Sequence, residues 1–337
     1  DMAKSRGLGD VYKRQHLCLN ELLKYTFSMG NKLKFGLLGA LGYIAPRHIQ
    51  AINNIGADLK CVSDLDFNSA QKKEFLSKNI ETLDSLEEMI KFHQKDNLDY
   101  ISICTPNHLH TDQIITCLEN DINVICEKPL ALSVSDLDRI RKSESVSAAK
   151  VFTIMQLRFH ESIIQLKQNI TSQKSEEKHE VILIYATTRG SEFFSSWRGS
   201  ENKSGGILFE FGIHYLDILI DIFGQVSNFN VNKLSLNQAN VLIEHENAKV
   251  LIMINVLSKE KLKEMGQEEV LYRSFTINGD EFEFTGGFQD LHTKSYESIL
   301  EGKGFTVEDA SKSIKQISKI MDEFEKGSTY KPILNNL

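Results

Sequence analysis

The sequence predicts an α/β protein of two domains: a doubly wound parallel sheet first, then an α+β domain with an open, mostly antiparallel sheet. Three observations lead there. From residue 34 to about 155, short apolar runs alternate with stretches of helical spacing, the grammar of a parallel sheet with helices on both faces. After about residue 180 strand follows strand, and Asn278-Gly279 is a two-residue hairpin signal because both positions tolerate positive φ. The 337 residues, 41% hydrophobic, suffice for two separate cores.

In chain order, Lys34–Leu38 reads as a strand ending at a glycine, and Ile44–Ile55 as the helix after it. Leu59–Ser63 is a second strand, followed by helices over Asn68–Ser77 and Leu86–Phe92. Strand Tyr100–Cys104, helix His110–Leu118, strand Asn123–Cys126, helix Val134–Ser143 and strand Val151–Leu157 complete the first domain, 30–155. The second domain, 156–337, carries strands at Val181–Thr187, Phe229–Leu234, Asn240–His245, Lys249–Val256, Arg273–Ile277 and Glu281–Phe284. Helices interrupt it at Ile207–Ile222, Asp290–Leu300 and Val307–Phe324.

Residues 1–28 lack period 2, period 3.6 and the apolar core of a signal peptide, so they read as a leader outside the fold, with Met29 as the natural start. A helix around Leu17–Phe27 is the alternative. The net charge of −7, and of −9 from Met29 onward, argues against nucleic acid or an anionic membrane as partner. No apolar run approaches the ~20 residues that span a bilayer. Five cysteines without paired spacing read as reduced thiols, which points to the cytoplasm.

The first functional signal is Gly39-Ala40-Leu41-Gly42-Tyr43-Ile44-Ala45 between a strand and a helix. Such a turn lets backbone N–H groups approach a pyrophosphate at a helix N-terminus. The spacing is GxxGxxA, one residue longer between the glycines than the common GxGxxG/A. Asp64, 25 residues after Gly39 and at the end of the second strand, suits the ribose hydroxyls and repels a 2′-phosphate, favouring NAD. A second loop, Thr105-Pro106-Asn107, closes the strand before His110, where such sheets place ligand loops. His108, His110 and Asp112 have strand-like metal spacing but stand on a turn into a helix, so capping and packing are expected and no metal site.

Glu127-Lys128-Pro129 sets a charged pair directly after an apolar strand, with proline biasing Lys128 toward extended backbone. Gly205-Gly206 precedes a helix on which Glu210, His214 and Asp217 stand at i, i+4 and i+7. That row can orient a histidine tautomer for proton transfer; spacing alone leaves a buried histidine in a hydrogen-bond network equally open. From residue 151 onward only four arginines occur, Arg158, Arg189, Arg198 and Arg273, and their planar forks suit carboxylate or phosphate. Trp197 and Lys203 share a loop with one of them, and His292 and Tyr296, i and i+4, either reach a ligand or pack. Salt bridges inside the domain are the other use for those arginines.

GxxGxxA, TPNxLH, EKPL and GG…GxHxxD, in this order, resemble the glucose–fructose oxidoreductase/inositol dehydrogenase (Gfo/Idh/MocA) family over about residues 32–330. The stretches Gly42–His48, Gln156–Arg158, Thr188–Gly190, Tyr272–Ser274 and Gly287–Tyr296 further resemble members that oxidise the C3 hydroxyl of a UDP-linked N-acetylated uronic sugar. The resemblance implies an N-terminal Rossmann domain binding NAD and a C-terminal domain whose open sheet mediates a homo-oligomer, dimer or tetramer. It implies Lys128 and His214 as catalytic residues with Glu210 as the third, where the family usually has Asp or Asn. Gly39, Leu41, Gly42, Tyr43, Ile44, Asp64, Thr105, Pro106, Asn107, His110, Glu127, Lys128 and Gln156 would then face the cofactor. Lys128, Gln156, Arg158, Arg189, Trp197, Lys203, Glu210, His214, Arg273, His292 and Tyr296 would face the substrate. A 2-oxo acid co-substrate and an aminotransferase acting on the product, in a pathway to surface polysaccharide, are implied in the same way. Another sugar nucleotide, a polyol such as inositol, or a non-catalytic NAD-dependent sensor remain open.

Overall fold

The computed structural model describes residues 32–172, 177–266, 268, 271–282 and 286–326. The expected leader 1–28, Met29 and the end of the strand expected over 281–284 lie outside these. Strands β1 (Lys34–Leu38), β2 (Asp58–Ser63), β3 (Glu81–Leu83), β4 (Tyr100–Ile103), β5 (Asn123–Cys126) and β6 (Val151–Thr153) form the first sheet. Its order is β3-β2-β1-β4-β5-β6 with every pairing parallel, the doubly wound arrangement expected. The central strands are apolar on both faces because helices cover both: Phe35, Leu37, Ile101, Ile103, Val124 and Ile125 are fully buried. Those helices are α1 (Ala45–Asn54), α2 (Ser69–Ser77), α3 (Leu86–Asp96), α4 (His110–Leu118) and α5 (Val134–Val146). Ser133 caps α5, its hydroxyl accepting from the Asp136 N–H at 3.0 Å, so the chain turns into a helix soon after the Lys128 loop.

The strand expected over Val151–Leu157 stops at Thr153, and a 3₁₀ turn over Gln156–Phe159 leads into α6 (Glu161–Ser172), which sequence reading did not anticipate. The second sheet is built from β7 (His179–Arg189), β8 (Val226–Ser235), β9 (Gln238–His245), β10 (Ala248–Ser258), β11 (Leu271–Ile277) and β12 (Asp280–Phe282). Its order is β12-β11-β7-β10-β9-β8, antiparallel except for the β7–β10 pair. Short helices α7 (Ser191–Ser195) and α8 (Glu201–Ser204) precede the long α9 (Ile213–Phe223); α10 (Lys259–Glu264), α11 (Leu291–Leu300) and α12 (Val307–Glu325) complete the chain. Val181, Leu183, Val250, Ile252 and Ile254 face the helices and are buried; alternate residues Ile182, Ile184, Leu251 and Met253 are half-exposed on the opposite face.

The last two helices return to the first domain. Tyr296 and Ile299 of α11 join the core around Phe35 and Leu37, and Thr153 N–H donates to the Phe305 carbonyl at 2.9 Å. The two domains therefore share a wall along β6 and α11. Cys61, Cys104, Cys117 and Cys126 are unpaired and buried, and burial pushes the Cys61 and Cys117 thiols up to about 12. Among the described residues no helix is long and apolar enough to cross a membrane.

Candidate active site

The glycine turn lies where the strand order reverses, between the ends of β1 and β4. Gly39 has φ +78°, and a Cβ there would stand 2.7 Å from the Cys104 carbonyl carbon and oxygen. Only glycine allows both the left-handed backbone and that approach. Gly39 N–H donates to the Ser63 carbonyl at 2.8 Å, and the Asp64 carboxylate accepts from the Leu41 and Leu65 N–H groups, each at 2.8 Å. Leu41 and Tyr43 hold their side chains out to solvent beside Ile44, the N-cap of α1. Side-chain-free backbone, a helix N-terminus and a carboxylate at the next strand end together fit a dinucleotide.

The loop after β4 is braced from three sides. Thr105 donates to Gln113, and the buried His110 sits between the carbonyls of Pro129, at 2.8 Å, and Thr105, at 2.9 Å. His110 thus ties the Thr105-Pro106 loop to the Lys128 loop instead of presenting a free ring nitrogen, while Asp112 pairs with Arg139 at 2.6 Å. Asn107, buried, donates to the Ser204 carbonyl at 2.9 Å and so links the two domains.

Lys128 and His214 line the same cavity, with Leu130, Met155 and Leu157 beside them. One arrives from the end of β5, the other on α9. Burial, and after it the Lys128 charge, hold the His214 imidazole well below its usual pKa, so it is neutral at neutral pH. The double glycine makes this delivery possible: Gly205 has φ +80°, and a Cβ there would press within 2.6 Å of Leu132 and 2.7 Å of Phe209.

The row Glu210–His214–Asp217 does not form as its spacing suggests. Leu208–Gly212 is a π-helical turn, which rotates Glu210 out of register with α9 and frees main-chain groups. Lys128 Nζ donates to the Glu210 carbonyl oxygen at 3.1 Å, while the Glu210 carboxylate pairs with Arg198 Nε at 3.0 Å. Asp217 receives both forks of Arg158, at 2.7 and 2.8 Å, instead of meeting the imidazole. The expectation that Arg158 holds an anionic ligand is corrected by the same pair. Its side chain is only 9% exposed, and Asp217 and Asp221 already neutralise it.

The expected ligand-facing side chains divide accordingly. Gln156 Oε1 and Arg273 Nε are buried and have no hydrogen-bond partner among the described residues. The Arg273 guanidinium lies 4.4 Å from the Phe288 ring centroid. Arg189 donates to Thr187 Oγ1 at 2.7 Å and lies over Phe193 and Phe211, Arg198 stacks on Trp197 at 4.9 Å, and Lys203 is exposed. His292 and Tyr296 are buried and hydrogen-bonded to first-domain side chains, His292 to Glu127 and Tyr296 to His48 and Ser102, the packing alternative that their spacing left open. Glu127, expected at the cofactor, is also buried: its Oε1 accepts from His48 at 2.9 Å and His292 at 3.0 Å, and its Oε2 from the Lys128 N–H at 3.1 Å. His48 belongs to one of the stretches that carry the resemblance but is not among the residues expected at the site. Its one signal was a histidine on the buried face of α1, with Ala45, Ala51 and Ile52.

Comparison with known proteins adds identity to this geometry. The profile of the oxidoreductase family's NAD-binding Rossmann fold matches residues 33–154, and that of its C-terminal alpha/beta domain matches residues 178–326. The WlbA (WbpB) dehydrogenase from Thermus thermophilus, solved with NAD and UDP-GlcNAcA, is 31% identical at a TM-score of 0.77, over 90% of this chain and 97% of that one. Solved with NAD and alpha-ketoglutarate it aligns at 33% identity and a TM-score of 0.75, over 84% of this chain and 92% of that one. Among curated proteins, an uncharacterized oxidoreductase of Streptococcus pneumoniae is 29% identical over 202 residues, 57% of this chain and 50% of that protein. The myo-inositol 2-dehydrogenase of Thermotoga maritima is 24% identical over 194 residues, 57% of this chain and 55% of that protein. The match therefore spans about half the length of these curated relatives. With both family profiles in sequence, and an alignment at above 30% identity over nearly all of a solved relative, the chain belongs to the Gfo/Idh/MocA oxidoreductase family, its first domain the NAD-binding Rossmann fold.

Proposed function

We propose that the protein is an NAD-dependent dehydrogenase that oxidises the C3 hydroxyl of UDP-N-acetyl-2-amino-2-deoxyglucuronate to a ketone. The observation that carries this reading is the meeting of Lys128 and His214, from different domains, at one cavity. Bound NAD supplies the hydride acceptor. The imidazole of His214, kept unprotonated by burial and the Lys128 charge, takes the hydroxyl proton as the hydride leaves. Lys128, steadied by the Glu210 carbonyl, donates a hydrogen bond to the oxygen as it becomes a carbonyl. The main-chain amides of Tyr43 and Ile44 at the start of α1, and the Asp64 carboxylate at the end of β2, hold the dinucleotide. Position and charge are the protein's contribution.

Two supports favour a UDP-uronic acid over a polyol. The Thermus relative was solved with UDP-GlcNAcA, and the orphaned Gln156 Oε1 and Arg273 Nε are buried polar atoms that a polar, anionic ligand would satisfy. A 2-oxo acid re-oxidises the cofactor in the same site, in keeping with the alpha-ketoglutarate complex of that relative. The 3-keto product goes to an aminotransferase, in a cytoplasmic route to a diacetamido-uronic acid for surface polysaccharide such as the O-antigen of lipopolysaccharide. The half-exposed apolar face of the second sheet, Ile182, Ile184, Leu251 and Met253, makes the working unit a homo-oligomer, a dimer or tetramer.

The test is incubation with UDP-GlcNAcA, NAD and alpha-ketoglutarate, followed by NADH absorbance and mass spectrometry of the sugar nucleotide. The expected result is a product lighter by two hydrogens and 2-hydroxyglutarate in equal amount. Turnover of inositol but not of the UDP-sugar transfers the reading to the polyol branch. A thermal shift with NAD and UDP-sugar but no product makes the chain a sensor.

A further inference from the structure

Behind the Lys128 loop lies a buried polar chain that the reaction as described does not use. It runs from Ser102 Oγ through Tyr296 Oη (2.6 Å), His48 Nδ1 (2.7 Å), His48 Nε2 and Glu127 Oε1 (2.9 Å) to His292 Nε2 (3.0 Å). Ser102 stands on β4, His48 on the cofactor helix α1, Glu127 after β5, and His292 and Tyr296 on α11 of the second half. Proton arithmetic gives the chain one direction. An ionised carboxylate only accepts, so both Nε2 atoms carry hydrogen. His48, neutral because burial lowers its pKa against the pull of Glu127, then accepts at Nδ1 from the Tyr296 hydroxyl, which in turn accepts from Ser102. Each of these bonds has one donor and one acceptor.

We propose that Glu127 is a positioning residue, a fixed buried anion that the N–H groups of His48 and His292 hold against the start of the Lys128 loop. Its second oxygen accepts from the Lys128 main-chain N–H at 3.1 Å, so the carboxylate grips the backbone that carries the ammonium. Among the described residues no arginine or lysine nitrogen forms an ion pair with it, which leaves donors from two domains to stabilise the charge. Burial opposes ionisation, but the hydrogen bonds from His292 and His48 outweigh it and hold the carboxyl well below the usual range. The other titratable groups facing it stay uncharged by burial: Cys104, Cys126, Tyr296, His110 and His214. The network therefore makes the setting of Lys128 depend on the docking of α11.

The inference rests on the dehydrogenase reading for its kinetic arm only. Glu127→Gln, His292→Gln and His292→Leu are compared with the parent protein in NAD affinity, steady-state kinetics from pH 5 to 8, and infrared absorption of a protonated carboxyl. His292→Gln keeps an N–H donor that does not titrate; His292→Leu removes it. The expected results are a fall in kcat of at least tenfold for Glu127→Gln with NAD affinity within about twofold, recovery of most of kcat in His292→Gln relative to His292→Leu, and a protonated-carboxyl band in mild acid for His292→Leu alone. The infrared arm needs no turnover, so a parent protein inactive on the UDP-sugar overturns the functional reading without touching this one. Equal impairment of the glutamine and leucine variants with no new carboxyl band overturns the proposal. So does a large loss of NAD affinity in Glu127→Gln, which would return Glu127 to the cofactor. The atoms of His48, Glu127 and His292 lie within 4.8 Å of one another, so a stoichiometric metal in the purified protein, lost with activity on chelation, would also overturn it.

Discussion

The two walls of the cleft are built differently. On the first-domain side, what positions Lys128 and Asp64 is mainly main chain: the glycine turn, its approach to the Cys104 carbonyl, and carbonyls and amides that grip His110 and Glu127. On the second-domain side it rests on side chains, with His214 delivered by a π-helical turn and each nearby carboxylate neutralised by an arginine: Glu210 by Arg198 and Asp217 by Arg158. A wall of main chain is fixed by backbone conformation and tolerates few changes of φ. A wall of paired charges is fixed by partners, so removing one partner leaves the other buried and unpaired.

The largest expected effect breaks the meeting of the walls. Lys128→Ala removes the donor proposed for the reacting oxygen, and on that reading turnover of UDP-GlcNAcA should fall about 10²–10⁴-fold. NAD affinity, read by fluorescence titration, should change little because the glycine turn is untouched. Unchanged turnover would remove Lys128 from the chemistry.

Next in size is a pair of arginine substitutions. Arg158→Met strands Asp217, which is 5% exposed, and should destabilise the fold by about 3–5 kcal/mol in urea titration. Arg273→Leu should instead weaken UDP-sugar binding about tenfold or more with a smaller change in Tm, because it strands no buried carboxylate, only the Tyr215 hydroxyl bonded to the Arg273 side chain. If the two exchange phenotypes, Arg158 faces the substrate after all.

That contrast also shows what sequence could and could not reveal. The first domain was legible because its information is local: Phe35–Leu38 before Gly39, Asp64 at the next strand end, and alternating strand and helix down to Thr153. β3 escaped notice because Glu81–Leu83 is three residues with only Leu83 buried. In the second domain the important facts are pairings. An arginine fork suits Asp217 as well as a sugar carboxylate, and the spacing 210, 214, 217 presumes an even α-helix that the turn at Leu208–Gly212 interrupts. The network around Glu127 joins residues 48, 127, 292 and 296, a separation no local pattern can signal.

A smaller effect tests the main-chain wall. Gly39→Ala places a methyl group 2.7 Å from the Cys104 carbonyl at φ +78°, which should cost about 1–3 kcal/mol. The loss should appear as weaker NAD binding and a lower Tm, with kcat at saturating NAD nearly preserved. An unaffected variant would mean that β1 and β4 separate easily at their ends, and that the cradle is not preformed.

The smallest effect concerns protons. His214 is held below the usual imidazole range, first by burial and then by Lys128, so turnover should persist as pH falls through about 6.5, where a free histidine base would be half lost. Stability moves the other way in the same window. His48, His110 and His214 all have folded-state pKa values lowered by burial, while the unfolded chain protonates near 6.5. The unfolded state therefore binds more protons below that pH, and stability, full above it, declines as pH drops toward the folded-state values. Between pH 7 and 6, kcat should change by less than about threefold while the urea midpoint falls measurably, each histidine contributing well under the 1.36 kcal/mol that a full pKa unit represents. A steep loss of kcat across that interval with no change in midpoint would mean that His214 titrates like an exposed imidazole, and that the second wall leaves its base open to water.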